Sequence, residues 1–409
     1  MSVITGVGVV APNGVGVKEF WAATLSGRGG IGELDRFDTA GLPARLAGQV
    51  ALEAAQYLPS RLLPQTDVST RMALIAAQAA IEDAELDTEA TTDYDMGVVT
   101  ANASGGFAFT HREFNKLWSR GSQHVSAYES FAWFYAVNTG QISIRHGMRG
   151  PGCALVAEQA GGLDALGQAR RGLRAGTPVM VAGGVDSALD PWGWVSHLSS
   201  GRVSTDPDPR TAYRPFDGRA GGYVPGEGGA ICVLEDAAAA RARGATGYGE
   251  LAGYAATFDP PPDSGRPPGL RRAAELALAD AGVAAEEVDV VYADAAGVPE
   301  LDRAEAQAIR EVFGNRRVPV TAPKALTGRL FSGGGPLDVV CALMSMRERV
   351  IPPTFGTASV PDAYGIDLVT GEPREARVET ALVLARGRWG FNSAVVLKGA
   401  RPGGGGERL

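Results

Sequence analysis

The sequence predicts an α/β fold in which one plan of helices and strands occurs twice along the chain. Residues 71–99 run from an alanine-rich helix into an apolar strand, and residues 271–293 repeat that order. Later, Gly-Gly-Leu-Asp at 161–164 is echoed by Gly-Pro-Leu-Asp at 335–338, and each motif opens a predicted helix. A repeated unit of this size indicates duplication. Strands that alternate with helices indicate mainly parallel sheets packed against helices.

The first element is a strand predicted over residues 3–10, because this stretch is almost entirely apolar or glycine. The tetrapeptide Ala-Pro-Asn-Gly at 11–14 then predicts a turn. An amphipathic run at 17–25 predicts the first helix. After an apolar strand at 229–234 the chain enters an alanine-rich stretch at 237–243, where we place the join between the two halves.

These boundaries predict an N-terminal half over residues 1–240 and a C-terminal half over residues 241–400. At roughly 150 residues per domain, the 409 residues fit two or three units of domain size. Residues 401–409 include four consecutive glycines and are expected to form a flexible tail.

The N-terminal half carries an aromatic insertion, which we place at residues 100–140. Asp95 and Asp164 are 69 positions apart (164 − 95), whereas the equivalent Asp289 and Asp338 are 49 apart (338 − 289). Aromatic rings dominate both apolar channels and protein interfaces, while a satellite core under a long loop explains them equally well. The aromatic residues of this segment are Phe107, Phe109, Phe114, Trp118, Tyr128, Phe131, Trp133, Phe134 and Tyr135.

Composition excludes several classes of function. The net charge is −8 and no dense basic run occurs, which argues against nucleic acid or an anionic membrane as the main partner. No apolar run reaches about 18 residues, and no basic stretch precedes an apolar core at the N-terminus, so a cytoplasmic protein is expected. The three cysteines, Cys153, Cys232 and Cys341, are too few and too widely spaced for a disulfide framework or a zinc site. We therefore expect no bound metal.

Motifs along nearly the whole chain resemble the ketosynthase family. The most specific are Arg-Pro-Phe-Asp at 214–217 and Gly-Tyr-Val-Pro-Gly-Glu-Gly-Gly at 222–229. The resemblance implies a thiolase-type fold of αβαβα layers, with two mainly parallel five-stranded sheets between helices. It also implies condensation of acyl groups that are carried on the phosphopantetheine arm of acyl carrier protein, with no cofactor bound by the chain itself.

The residues that a condensing ketosynthase requires are absent. The family uses a cysteine at a helix N-terminus, where the helix dipole favours the thiolate, together with two histidines. Here Gln159 stands at the cysteine position, and Asp294 and Arg329 stand at the histidine positions, while Lys324 is retained. The four histidines of the chain all precede residue 198, in the wrong half to substitute. The resemblance thus implies a scaffold with no intact catalytic set.

Within the family this pattern resembles the chain length factors, or ketosynthase beta subunits, of type II aromatic polyketide synthases. Glu-Gln-Ala-Gly-Gly at 158–162 and the run at 130–141 match that group. The resemblance implies an obligate heterodimer with a catalytic ketosynthase alpha subunit, which is served by acyl carrier protein. It further implies that the growing poly-β-ketone enters a tunnel across the interface, and that residues on the beta side limit its length.

Four residues are carried over as candidates for the tunnel gate. They are Phe107, Thr110 and Phe114 in the insertion, and Trp192 in a later Pro-Trp-Gly-Trp motif. The first three share one face if their segment is helical. A longer chain would have to displace a ring or leave polar ketone oxygens unpaired against it.

Other interpretations remain open. Glutamine at the cysteine position also occurs in ketosynthase-like domains that decarboxylate malonyl-acyl carrier protein, so Gln159 is a candidate for supplying an acetyl primer. A condensing enzyme that uses Cys153 is a weaker alternative to a buried structural thiol. Asp294 and Arg329 are expected to form a buried ion pair. The basic cluster Arg170, Arg171 and Arg174 is either a solvated helix face or a contact for an acidic carrier protein.

Overall fold

A computed structural model describes residues 1–400. The predicted tail, residues 401–409, lies outside the described residues.

The N-terminal half begins with a strand and a helix at the predicted positions. Its strands are β1 (Ser2–Ala11), β2 (Gly14–Val15), β3 (Ile31–Glu33), β4 (Leu46–Gly48), β5 (Met96–Ala101), β6 (Gly152–Leu155), β7 (Val179–Asp186) and β8 (Gly228–Asp236). Its helices are α1 (Val17–Ser26), α2 (Val68–Asp83), α3 (Phe107–Arg120), α4 (Glu129–Ala132), α5 (Val137–His146), α6 (Gly161–Arg174), α7 (Pro191–Ser199) and α8 (Ala237–Ala242).

The C-terminal half repeats the plan with fewer helices. Its strands are β9 (Gly249–Phe258), β10 (Val290–Tyr292), β11 (Pro319–Thr321), β12 (Val350–Ile351), β13 (Asp367–Leu368), β14 (Arg374–Glu375), β15 (Thr380–Arg386) and β16 (Phe391–Gly399). Its helices are α9 (Leu270–Ala281), α10 (Pro299–Phe313) and α11 (Gly334–Glu348).

The strand order confirms the predicted duplicated fold. The N-terminal strands lie in the order β6-β5-β7-β8-β1, and the C-terminal strands in the order β11-β10-β15-β16-β9, with the short β13 added at the outer edge. Among the described strands of these two sets, β8 and β16 each run opposite to the others of their half, so both halves are mainly parallel. β1 and β9 pair antiparallel over two residues and join the halves.

Three apolar cores separate the layers. α6 and α11 lie between the two halves of the sheet, in a central core to which both halves contribute. α2 packs on the outer face of the N-terminal strands, and α9 and α10 pack on the outer face of the C-terminal strands. Strand β8 alternates accordingly: Ala230, Cys232 and Leu234 join the central core, whereas Ile231 and Val233 face α2.

Glycine permits the tight contact between each first strand and its outer helix. A Cβ at Gly8 of β1 would overlap the carbonyl oxygen of Ala76 on α2, and a Cβ at Gly253 of β9 would overlap that of Ala277 on α9. The same close approach in both halves accounts for part of the high glycine content and reflects the duplication.

The halves differ where the aromatic insertion was predicted. In the N-terminal half α3, α4 and α5 connect β5 to β6, whereas α10 alone connects the equivalent β10 and β11. Of the extra helices, α3 packs against α7 and α4, and α5 packs against β5. The insertion is therefore an addition to one copy of a duplicated fold.

Candidate functional site

Gln159 lies in a buried turn directly before α6. The turn is a short 3-10 helix, Glu158–Ala160. The Gln159 side chain is completely buried, and neither of its polar atoms has a hydrogen-bond partner within residues 1–400. A Cβ at Gly334, the first residue of α11, would overlap its amide nitrogen, so both central helices begin beside this group. A primary amide is not a nucleophile, and burying it unpaired lowers stability.

Glu158 holds this turn in a strained conformation. Its φ of 51° is left-handed, which costs a residue with a Cβ about 1–2 kcal/mol. The Glu158 carboxylate accepts hydrogen bonds from the backbone N–H groups of Gln159 at 3.0 Å and Arg388 at 2.8 Å. Backbone strain held by its surroundings is typical of functional sites, and here it lies next to Gln159, which the sequence predicts to stand at the nucleophile position.

Asp294 and Arg329 form the buried ion pair that their positions suggested. Asp294 follows strand β10, and Arg329 lies on the loop before α11. Arg329 Nη1 lies 3.2 Å from Asp294 Oδ2, and both side chains are almost completely buried. Arg329 also donates to the carbonyl oxygen of Arg386 at 2.6 Å, and Asp294 Oδ1 accepts from the Arg386 N–H at 3.0 Å. The two degenerate positions therefore satisfy each other.

The charge of Arg329 is held by its carboxylate neighbours. Burial alone disfavours the charged guanidinium, but the carboxylates of Asp294 and Glu158 outweigh that effect and raise the pKa of Arg329 above its usual range. Glu158 Oε2 lies 3.8 Å from Arg329 Nη2. Arg329 is thus a permanent cation whose guanidinium is already paired.

Lys324, which the sequence predicts to be retained from the family, is also paired. Its Nζ lies 2.6 Å from Asp338 Oδ2 and donates to the carbonyl oxygen of Ala293 at 2.6 Å. Burial raises the pKa of Asp338 to about 6, and the Lys324 ammonium opposes that shift. Lys324 therefore links Asp338 on α11 to the backbone that follows β10.

Two further acids lie beneath the ion pair. Glu305 accepts the backbone N–H of Asp294 at 2.7 Å, and Asp302 accepts those of Phe216 at 2.8 Å and Gly297 at 2.9 Å. Burial raises the pKa of each acid to about 7, and the hydrogen bonds from backbone N–H groups oppose that shift. These acids hold the loop that carries Asp294.

A small cavity of about 130 Å³, with a mixed polar and apolar lining, remains beside the Asp294–Arg329 pair. Ligand pockets in proteins usually have volumes of about 300–1,000 Å³, so this space is too small for an extended polyketide. Its lining includes Glu158, Tyr223, Asp294, Arg329, Arg386 and Arg388.

The predicted gate residues lie together on and beside α3. Phe107, Thr110 and Phe114 occupy one face of this helix and are half-buried. The ring of Phe114 meets the indole of Trp192 on α7 edge to face, with centroids 5.5 Å apart. Trp118, one turn further along α3, lies 6.4 Å from Trp192. The structure thus joins two segments that the sequence placed 78 positions apart (192 − 114).

The opposite face of α3 anchors the helix to the scaffold. Phe109 is buried beneath it, and its backbone N–H donates to Asp67 Oδ2 at 2.9 Å. The same carboxylate caps α2 through the N–H of Ser69 at 2.9 Å. Burial raises the pKa of Asp67, and these two hydrogen bonds oppose the shift. A Cβ at Gly106, just before the helix, would overlap the carbonyl oxygen of Ala132.

Asp186 connects the gate segment to the degenerate pocket. Its carboxylate accepts the backbone N–H groups of Ala103 at 2.9 Å, Ser104 at 3.0 Å and Ser332 at 3.0 Å. The Ser332 hydroxyl in turn donates to the carbonyl oxygen of Glu158 at 3.3 Å. Burial raises the pKa of Asp186 to about 6 against these hydrogen bonds. Asp186 was not among the residues predicted from the sequence, because nothing around an aspartate at a strand end indicates that three distant N–H groups will donate to it.

An exposed apolar surface surrounds the insertion. β6 is the edge strand of the sheet, so one side of its backbone is unpaired among the described strands. Contiguous exposed apolar groups beside a free sheet edge mark an interaction surface. The exposed rings and aliphatic side chains of this surface are Trp118, Tyr128, Trp133, Phe134, Tyr135, Ile144, Val156, Trp192 and Val195.

Two expectations require correction or refinement. Arg170 does not lie on a solvated face: it is buried between the halves, pairs with Asp280 on α9 and donates to the carbonyl oxygen of Ala252. Arg171 and Arg174 are exposed. Cys153 is half-buried on β6, and burial raises the pKa of its thiol. A thiol with a raised pKa is a poor nucleophile.

No helix within residues 1–400 combines the length and the apolar character that a membrane span requires. In the same part of the chain, the His, Cys, Asp and Glu side chains form no group arranged to bind a metal ion.

Comparison with known proteins identifies the family. The model of the beta-ketoacyl synthase N-terminal domain matches residues 3–240, and that of the C-terminal domain matches residues 248–358. The chain therefore belongs to the beta-ketoacyl synthase family.

Within that family the chain is a ketosynthase beta subunit of the chain length factor class. It is 70% identical to the actinorhodin polyketide putative beta-ketoacyl synthase 2 of Streptomyces coelicolor, over 98% of each chain. It is 59% identical to the tetracenomycin polyketide synthase ketoacyl synthase beta subunit of Streptomyces glaucescens, over 97% of this chain and 98% of the relative. The ishigamide ketosynthase/chain length factor superimposes with a TM-score of 0.89 at 25% identity, covering 98% of this chain and 99% of that one.

Proposed function

We propose that this chain is the non-condensing subunit of a type II polyketide ketosynthase heterodimer, and that it limits the length of the poly-β-ketone. One observation carries the proposal: the Asp294–Arg329 ion pair fills the former catalytic pocket, whereas the aromatic face of α3 remains in contact with Trp192. The chemistry of condensation has been lost while the parts that surround a product have been kept.

The partner in this proposal is a ketosynthase alpha subunit. The unpaired edge of β6 and the exposed apolar surface around the insertion provide a contact area for it. A similar solved structure is described as a type II polyketide synthase acyl-carrier protein in complex with its ketosynthase bound to the hexaketide, with a TM-score of 0.86 and 26% identity. We extend that arrangement to this chain: the substrates arrive on the phosphopantetheine arm of acyl carrier protein, and the chain binds no cofactor of its own. A cytoplasmic location follows from this proposal.

The gate acts by exclusion. A polyketide that grows past its normal length meets the rings of Phe107, Phe114 and Trp192 on one wall of the tunnel. Further extension must displace a packed ring or bury a ketone oxygen without a hydrogen-bond donor, which costs on the order of 1–3 kcal/mol. Hydrolysis or cyclisation of the chain then competes with the next condensation.

The alternative in which Gln159 catalyses malonyl decarboxylation is not favoured. Among the ionised groups that line the pocket are the Glu158 and Asp294 carboxylates, and the Arg329 guanidinium is already paired with both of them. A malonyl carboxylate entering this pocket would be repelled by these two carboxylates. To bind Arg329 it would have to displace one of them.

The test replaces the gate rings in a co-expressed heterodimer. Phe107→Ala and Phe114→Ala are each produced with the alpha subunit and acyl carrier protein, and the mass of the polyketide is measured. We expect products that are longer by whole two-carbon units. Phe258→Ala is the matched control, because Phe258 is an exposed ring on β9. Products of unchanged length from intact heterodimers that carry both gate substitutions would refute the proposal.

A further inference from the structure

One carboxylate ties together the two helices that carry the gate rings. Asp190 is the N-cap of α7, where its Oδ1 accepts the N–H of Gly193 at 2.9 Å and its Oδ2 accepts that of Trp192 at 3.3 Å. The same Oδ2 lies 3.0 Å from Nδ1 of His111 on α3. The Asp190 side chain is almost completely buried. The start of α7 and the middle of the gate helix are therefore held by one group.

The imidazole of His111 also packs against the gate ring of α7. It stacks on the indole of Trp192 with centroids 5.5 Å apart and an angle of 18° between the planes. Phe114 meets the same indole edge to face from one turn further along α3. Trp192 is therefore held by a stacked ring on one side and by a perpendicular ring on another.

The hydrogen bond to Asp190 sets the orientation of the imidazole. A carboxylate accepts hydrogen bonds, so Nδ1 of His111 is the donor. With Nδ1 directed at Asp190, the His111 ring lies nearly parallel to the indole of Trp192, which is two positions after Asp190. Stacking and hydrogen bonding thus support the same position of Trp192.

We propose that His111 is a positioning residue that determines product length by fixing how far Trp192 projects into the tunnel. The inference rests on the proposed gate function. His111 lies one residue after Thr110 and three before Phe114, on the flank of the gate face of α3. Without His111 the Asp190 carboxylate still caps α7, so the helix remains folded, but the indole loses its stacked support and yields to a longer chain.

The test measures product length with variants that separate stacking from hydrogen bonding. In the heterodimer with the alpha subunit and acyl carrier protein, H111A removes both contacts, H111N keeps a side-chain amide that can donate to Asp190, and H111F keeps a stacking ring. We expect H111A to raise the ratio of lengthened to normal products by about threefold to tenfold, the range that an aromatic contact of this kind supports. H111F is expected to restore most of the normal length, and H111N less of it.

A double variant tests whether His111 acts through Trp192. H111A combined with W192A is expected to give the same product distribution as W192A alone, since residues that act as one unit are not additive. A merely structural role would lower the amount of product without changing its length. Normal product length from an intact H111A heterodimer, or additive effects of H111A and W192A, would overturn the inference.

The Phe107→Ala and Phe114→Ala variants, measured in the same host, distinguish a failure of the His111 inference from a failure of the gate proposal. If they lengthen the product while H111A does not, the inference about His111 alone is wrong. If none of the variants changes product length, the gate proposal is wrong and the inference falls with it.

Discussion

The degenerate pocket and the gate region of this molecule are built on different principles. In the pocket, the charged side chains of Asp294 and Arg329 are 1% and 6% exposed and pair with each other. In the gate region, Trp192 is 37% and Trp118 is 69% exposed, and rings pack loosely on rings. The ion pair of the pocket is buried and satisfied, while the rings of the gate region are partly exposed.

This difference shows how a catalytic scaffold becomes a partner subunit. The proposed replacement of two histidines by Asp294 and Arg329 would convert a site for chemistry into a structural cross-link. The aromatic insertion, which the duplicated C-terminal half lacks, carries exposed rings that we propose face the alpha subunit. The pocket should therefore matter mainly for stability and the gate region mainly for function. Substitutions in the two regions should have different consequences.

The largest expected effect tests whether the pocket is structural. Arg329→Met leaves Asp294 buried without its counter-charge, and breaking a buried pair in this way costs about 3–5 kcal/mol. We expect a matching fall in the free energy of unfolding, measured by chemical denaturation. Arg377→Met is the control, because its pair with Glu379 is exposed and worth at most about 1 kcal/mol. Equal stability of the Arg329 variant and the wild type would contradict a structural role for the pocket.

The next effect tests whether the apolar surface of the insertion binds the alpha subunit. Trp133 is 47% exposed in the isolated chain. Buried tryptophans at protein interfaces often contribute about 2 kcal/mol or more, so Trp133→Ala should weaken the heterodimer by at least about tenfold. The dissociation constant is measured by titration calorimetry or analytical ultracentrifugation. Trp389→Ala, at an exposed ring beside the small cavity, should leave it unchanged; the reverse pattern would place the interface elsewhere.

A smaller effect concerns the pH dependence of the acids beneath the pocket. The folded-state pKa of Asp302 is raised from 3.8 to about 7, so the folded chain binds a proton that the unfolded chain has released. Stability from this group is present at low pH and is lost as the pH rises through about 7. Between pH 6 and 8 the wild type should lose about 1.4 kcal/mol more than Asp302→Asn.

The comparison with the variant separates the buried acids from two histidines that act in the opposite direction; Glu305, whose pKa burial also raises to about 7, contributes with Asp302. His146 and His197 have pKa values lowered to about 4 by burial, and they change stability in the opposite direction over the same range. Both proteins contain them, so their contribution cancels. Parallel stability curves for the two proteins between pH 6 and 8 would show that Asp302 is ionised throughout.

The smallest expected effect concerns condensation activity, which we do not expect a restored cysteine to bring back. Gln159→Cys restores the family's thiol, but Asp294 and Arg329 still occupy the histidine positions. We expect no condensation by the isolated subunit and an unchanged product length in the heterodimer, with the products measured by mass spectrometry. Condensation by this single variant would show that the pocket has kept more of its machinery than its side chains indicate.

Sequence motifs were sufficient to predict the duplicated fold, since its repeats are made of residues that are close together in the chain. The loss of the catalytic side chains stays a prediction from the same kind of motif. The duplicated plan was visible in two helix–strand repeats, and Gln159 was recognised from the motif around it. Arg170 was misjudged, because its helix looks amphipathic and basic while α6 lies in the centre of the fold. Only the packing of α6 between the two halves shows that Arg170 faces Asp280, 110 positions away.

The sequence by itself determined the duplicated α/β architecture and the family, and it predicted that Gln159, Asp294 and Arg329 stand at the catalytic positions. The tertiary structure decided which distant residues meet: Asp294 with Arg329, Phe114 with Trp192, and His111 with Asp190. The physical reason is that strand order and helix packing bring together residues that lie far apart in the chain. Their spacing in the sequence does not indicate that they will meet. The identity of a side chain is a local property, whereas its partner is a property of the whole fold.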